Sequence, residues 1–237
     1  MHLARFVLIL ALPAALASCA KAPVPVAQEG TTKSPAASRA AAAPSPNKDA
    51  PASVTRGARL RGQMVLGKDG FGFTPCGELA QRIASFDPAT QVFVDRFLAG
   101  GAHEFFIDAW AAQRADGALE INRIERVGGD AKDCTEHGLS GVVFKAHGNE
   151  PFWGLTLSSD TLVLERPAVV PLTATIDGSD NDGGARRIHA TSAAGKIEVR
   201  LQRTACSDGM SDALYAWTAQ VQVGGQTLKG CGYSGQP

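Results

Sequence analysis

Two short runs concentrate the side chains able to do chemistry. His147-Gly148-Asn149-Glu150-Pro151-Phe152-Trp153 sets an imidazole and a carboxylate close together and ends on an indole. His147 and Glu150 could ligate a metal, and Trp153 could stack on a planar ligand. A plain structural role also fits: Gly148-Asn149 turns the chain, Pro151 fixes the bend, and Trp153 starts a strand in the core. The second run is Cys206-Ser207-Asp208-Gly209-Met210-Ser211-Asp212. Its two carboxylates flank a Gly-Met bend and could hold a cation. Calcium, however, takes roughly six to eight oxygen ligands, and the run lacks the calcium-hand spacing. The competing reading is a loop closed by Asp and Ser side chains onto its own backbone. The candidate ligand-binding residues are thus Asn149, Glu150, Trp153, Asp208 and Asp212. Sequence leaves open whether the two runs form one site.

No other constellation points to catalysis. There is no Gly-x-Ser-x-Gly elbow, and Gly138-Leu139-Ser140-Gly141 does not make one. No phosphate-cradling glycine loop precedes a helix. Asp133-Cys134-Thr135-Glu136-His137 sets a His near a Cys, but that Cys is needed for a disulfide. The expectation is a non-enzymatic protein with no cofactor and no resident metal. Lys and Arg number 23 against 23 Asp and Glu. Such a balance offers no electrostatic case for nucleic acid.

The N-terminus speaks to location. Leu16-Ala17-Ser18-Cys19 closes an apolar stretch from Phe6 that follows Arg5. This reads as a lipoprotein signal, residues 1–18, with Cys19 lipidated and the chain then cut just before it. The apolar stretch is too short to span a bilayer, which needs ~20 residues. An ordinary secretory signal with a chance cysteine is the rival reading. Ala20, in place of an Asp, points to the outer membrane, with the protein facing the periplasm. The expected partners are the membrane, through lipid on Cys19, and an envelope protein or glycan. Residues 19–55 then read as a disordered tether. They are rich in Ala, Pro and Ser, hold no aromatic residue, and cannot bury a core.

Setting Cys19 aside leaves Cys76, Cys134, Cys206 and Cys231, which allow three pairings. Export favours disulfides. The local pairing Cys76–Cys134 and Cys206–Cys231 puts one staple in each of two domains. The second staple would clip the terminal hairpin to its neighbour and protect a sheet edge.

The elements that must position these residues are mostly strands. Residues 56–137 read as a small α+β domain of order β-β-β-α-β-β, an OB-like barrel. Its strands fall at 59–66, 71–75, 79–86, 104–111 and 119–127. Asp87-Pro88 starts a helix with Phe93, Val94, Phe97 and Leu98 on its apolar stripe. Residues 138–237 read as an antiparallel β barrel or sandwich of seven or eight short strands. Lys196–Gln202 alternates cleanly, and Tyr215–Val223 repeats the pattern with Tyr215, Trp217, Ala219, Val221 and Val223 inward. Gly224-Gly225 turns into a strand from Gln226. Gly178–Gly184 reads as an exposed loop.

With the Gly-Asn-Glu-Pro-Phe-Trp run, the Cys-x-Asp-Gly-Met-Ser-Asp run and the closing Gly230-Cys231, the C-terminal part resembles a family of uncharacterised bacterial envelope proteins, often lipoproteins. The resemblance implies a small β domain and carries no assigned activity. Phe73-Thr74-Pro75-Cys76-Gly77 lies in a segment similar to OB-type modules of such lipoproteins. More distantly it resembles the NlpE family of copper-homeostasis and adhesion-sensing lipoproteins. That family's Cys-x-x-Cys motif is missing here, so no copper role carries over.

Cys19→Ser is expected to release the protein from membranes without changing its folded part, because Cys19 lies outside every segment able to pack. Fractionation with a carbonate wash checks this; a mutant that stays with the membranes rejects the lipid anchor.

Overall fold

The computed structural model describes residues 57–128, 131–136 and 138–236. Cys19, the signal and the tether lie outside them. Residues Pro51–Pro237 form one compact unit that holds two β barrels. The chain is mainly β, with an OB-like barrel followed by a closed antiparallel barrel.

The first barrel is built from β1 (Ala58–Gly67), β2 (Gly70–Pro75), β3 (Arg82–Phe86), α1 (Pro88–Leu98), β4 (Glu104–Gln113) and β5 (Leu119–Val127). Strand β1 pairs with β2 and β4, β2 with β3, β3 with β5 in parallel, and β5 with β4. The sheet therefore closes on itself. The β1–β2 turn uses Lys68-Asp69, with Gly70 at φ +127° supplying the backbone freedom. The segment expected as a strand from Leu79 pairs only from Arg82, and Leu79 is fully exposed. Asp87 caps α1, taking the Thr90 N–H at 2.7 Å, and the Thr90 hydroxyl ties the helix to the Ile121 carbonyl at 2.8 Å. Val94 and Phe97 of the helix join Met64, Phe73, Phe105 and Ile107 in the core.

The second barrel is an eight-stranded meander. Its strands are β6 (Phe144–Asn149), β7 (Phe152–Leu157), β8 (Thr161–Arg166), β9 (Val169–Asp182), β10 (Ala185–Ser192), β11 (Gly195–Gln202), β14 (Trp217–Val223) and β15 (Gln226–Ser234). Alternating Leu, Val, Ile and Ala side chains fill the interior together with Phe144 and Trp153. Barrels of this strand number are just wide enough to be plugged by side chains. The segment 178–184 is not a loop. Strand β9 runs to Asp182, and the turn falls at Gly183-Gly184. The composition marked exposure correctly, but ion pairs and hydrogen bonds across the hairpin hold it as strand. His189 meets Asp180 at 2.7 Å, and Thr191 donates to Asp177 at 2.6 Å.

Between β11 and β14 the chain leaves the second barrel and adds two short strands, β12 (Cys206–Ser207) and β13 (Leu214–Tyr215), to the sheet of the first. Leu214 pairs with Val127 and Tyr215 with Arg126. The strand expected over 215–223 is therefore split at Ala216, whose N–H bonds the Glu125 carbonyl at 2.8 Å. Tyr215 does not face the second barrel's core. It packs with Leu139, Ala213, Cys231 and Tyr233 between the barrels.

Both disulfides pair as expected, Cys76 with Cys134 and Cys206 with Cys231. The second has a different role from the one expected. Strand β15 is no edge, since it lies between β14 and β6. The bond instead joins β12, in the sheet of the first barrel, to β15 of the second.

Three carboxylates hold the seam, Asp108 and Glu125 buried and Glu136 half-buried. Asp108, fully buried on β4, takes a two-pronged bond from Arg59, at 2.7 and 2.8 Å. Arg59 also donates to the carbonyls of Ser234 and Gly235 at the end of β15. Glu125 on β5 accepts the Ser234 N–H at 3.0 Å and the Trp217 indole N–H at 3.2 Å, with Arg123 and Arg203 beside it. Glu136 follows the 3-10 turn Ala131–Thr135. It accepts from Tyr233 at 2.6 Å, Lys145 at 3.2 Å, and Arg126. Burial opposes ionisation of Glu125 and Glu136. The Ser234 N–H and arginines at the first, and the Tyr233 hydroxyl, Arg126 and Lys145 at the second, outweigh it and hold both below the ordinary range.

Asp108→Ala is expected to destabilise the protein by about 3–5 kcal/mol, because it strands the Arg59 guanidinium in a buried site. Denaturant melts check this; a loss under about 1 kcal/mol, as for an exposed pair, rejects the assigned role.

Candidate functional site

The turn of the β6–β7 hairpin falls at Glu150-Pro151, not at Gly148-Asn149. Gly148 and Asn149 complete β6. Alternation along the strands sends Trp153 inward, where it is 4% exposed. Its indole lies against Gly148 and Gly230, and a Cβ at either glycine would collide with the ring or the adjoining backbone. The ring N–H donates to the Lys229 carbonyl at 3.2 Å. This packing accounts for the Gly and Trp of the first run and for the Gly of the closing Gly-Cys pair. Trp153 is a core plug, and it does not reach a solvent-facing surface on which a ligand could stack.

The same alternation turns His147 and Asn149 outward, onto the Ser207–Asp212 loop. The Asn149 amide donates to the Asp208 carbonyl at 3.0 Å, and His147 Nε2 lies 3.5 Å from Asp208 Oδ2. Asp208 also closes its own loop. Its carboxylate accepts the N–H groups of Met210 at 3.1 Å and Ser211 at 2.8 Å, and the Ser211 hydroxyl at 2.8 Å. This is the self-bonded Asx arrangement that the sequence offered as the alternative to a cation site. Burial pushes the Asp208 carboxyl up, but the Ser211 and Met210 donors and His147 hold it below its ordinary value. Burial keeps the His147 imidazole below its ordinary value; Asp208 pulls the other way, and Arg126 adds to the lowering. The ring is therefore neutral at pH ~7, given an unperturbed value near ~6.5.

The two runs thus meet. Between them opens a cleft of about 510 Å³. Asn149 and Glu150 form one side, Ser207 to Met210 another, and Gln220 and Lys229 line it from β14 and β15, with the Cys206–Cys231 disulfide in the wall. Three of the five candidate residues border it: Asn149, Glu150 and Asp208. Trp153 lies beneath it in the core. Asp212 lies apart, bordering a separate hollow with Arg96, Gly100 and Gly101 at the end of α1. Among the described residues, no group of three or more His, Cys, Asp and Glu side chains is arranged to hold a metal ion.

Sequence reading missed Gln220 and Lys229 as cleft residues. Alternation marks Gln220 as outward-facing, but only barrel closure sets β14 and β15 beside β6. It also missed the seam. Charged residues inside apolar strands, Asp108 in β4 and Glu125-Arg126 in β5, were the available signal. No protein family, curated protein or solved structure matches this chain.

Trp153→Ala is expected to cost about 3–5 kcal/mol through lost burial and the cavity left behind. Glu150→Gln, at an exposed turn, is expected to stay within about 0.5 kcal/mol of wild type. Thermal melts of both variants check this, and a Trp153→Ala protein as stable as wild type rejects the core assignment.

Proposed function

We propose that the protein is a lipid-anchored module of the cell envelope, held by Cys19 at the outer membrane and facing the periplasm. On this reading it is non-catalytic and binds an envelope protein or glycan through the Asn149–Asp208 cleft. The observation that supports this most is the meeting of the two chemistry-bearing runs, distant in sequence, around one open cleft. Its loop is held in shape by hydrogen bonds that Met210 and Ser211 donate to Asp208, before any ligand arrives. Preorganisation of this kind reduces the ordering cost of binding. Glu150 and Met210 reach solvent at its rim and are not consumed by packing. Amide, carboxylate and ammonium groups together suit a ligand rich in hydroxyls or peptide bonds. A metal-sensing role is less well supported, because His147 and Asp208 supply only two donors and Asp208 is already engaged by its own loop.

A photo-crosslinking residue at Gln220, inside the cleft, is expected to yield a discrete adduct in intact cells, weakened by Glu150→Lys. The same residue at Lys68, on the β1–β2 turn, is expected to yield none. No adduct at Gln220, or the same adduct from both positions, rejects the cleft as the binding site.

A further inference from the structure

The second barrel ends in an apolar tip that its own packing does not use. The β8–β9 connection reads Pro167-Ala168-Val169-Val170-Pro171, and every one of these residues is exposed. Val170 is 85% exposed and Val169 51%. Gly154 pairs with Glu165, and Arg166 with Val169, so the start of β7 lies at the same end of the barrel. There Phe152 stands 54% exposed beside the exposed Pro151. Strand β10 pairs with β9 only from Thr175 onward, so Val169–Ala174 are held by β8 alone and the hairpin stands clear on that side. No charged residue interrupts the run. Exposed apolar surface of this kind, on an otherwise well-packed monomer, marks a place of contact.

We propose that this tip docks shallowly into the lipid surface to which the chain is anchored. The tether gives the reason for a membrane over other occupants. The chain enters the described region at β1, where Arg59 bonds the end of β15. That is the opposite end of the second barrel from the tip, since β6 runs from Ser234 toward Glu150. The barrel is ~25–30 Å long at ~3.3 Å per residue. The 37 residues between Cys19 and Gly57 span at most ~120–130 Å. The tip can therefore reach the same bilayer, and anchoring at Cys19 keeps that bilayer constantly near. A single lipid attachment is more secure with a second membrane contact. Small aliphatic and proline side chains, with a phenyl ring beside them, enter the headgroup–acyl boundary, while the exposed Glu150 and Glu165 next to them stay at the level of the headgroups. Arg166 borders the run, where its long stem lets the guanidinium reach a phosphate. The inference leans on the envelope-lipoprotein reading only for the nearness of the membrane, and the test below removes that dependence.

The mature chain from Ala20 would be held by an N-terminal histidine tag on vesicles of phosphatidylethanolamine and phosphatidylglycerol containing a nickel-chelating lipid. This attachment works whether or not Cys19 is lipidated. Val170→Trp places an indole at the tip; Leu79→Trp places one at an equally exposed site on the first barrel. The expected result is a blue shift of the Val170→Trp emission on vesicle attachment, and its loss when the acyl chains are dibrominated. The Leu79→Trp emission should stay at the level given by the native indoles. Equal quenching at both sites, or none at Val170→Trp, overturns the proposal. A blue shift without bromine quenching also overturns it, because the tip would then be covered by protein, such as a second copy of this chain. Failure of the Cys19→Ser fractionation with success here would reject the lipid anchor and leave the docking tip standing.

Discussion

Three carboxylates sit between the two barrels, Asp108 and Glu125 without access to water and Glu136 with little, and the arrangement of everything else follows from satisfying them. Asp108, at zero exposure, is paired with the Arg59 fork, and Arg59 in turn completes its bonding with carbonyls from the far end of the chain. Glu125 takes a backbone N–H and an indole N–H from the second barrel. Glu136 does the same with a tyrosine and a lysine. Breaking the barrels apart would leave Arg59, Glu125 and Glu136 short of partners, and the cost of an unpaired buried charge is large. Two barrels that could each close independently are thereby made into one compact unit.

The polar seam and the cleft are physically continuous. His147, which meets Asp208, stands edge-on to Tyr215 at 4.8 Å, and Tyr215 stacks on Tyr233 at 6.1 Å. Arg126 lies over Tyr233 at 4.4 Å and over Phe106 at 4.9 Å. Burial and Glu136 keep the Tyr233 phenol protonated, against the pull of Arg126. The loop that borders the cleft is thus supported by the same column of rings that separates the barrels. The Cys206–Cys231 bond adds a covalent tie at the point where the chain passes from one sheet to the other.

A filled barrel interior pushes function to the outside. Phe144, Trp153 and the alternating aliphatics occupy the space that a ligand would need. Glycines at 148, 230 and 232 let those two aromatic rings lie directly against neighbouring strands. The conspicuous residues of the two runs therefore divide. Gly148, Trp153, Gly230, Cys231 and Asp208 build the surface, and Glu150, Phe152 and Met210 are presented on it.

Local chemistry made much of this molecule legible without coordinates. Asp87-Pro88 announced the helix start because capping and a fixed proline φ act within one turn. Most strands of both barrels followed from period-two alternation, and the disulfide pairing followed from joining the cysteines nearest in sequence. The Asp208 loop was readable because an Asp side chain finds its own backbone. What tertiary structure alone decided depends on strand pairing between distant segments. Alternation shows that Gln220 faces outward, but not that β14 and β15 close beside β6 to make it part of a cleft. The polar run 178–184 looked like a loop because its stabilising partners, Thr191 and His189, lie on another strand. The break at Ala216 was invisible because both halves carry the same alternation while joining different sheets. Asp108, Glu125 and Glu136 carry no local mark of their partners: Asp108 finds Arg59 on β1, and Glu125 and Glu136 find donors on the second barrel.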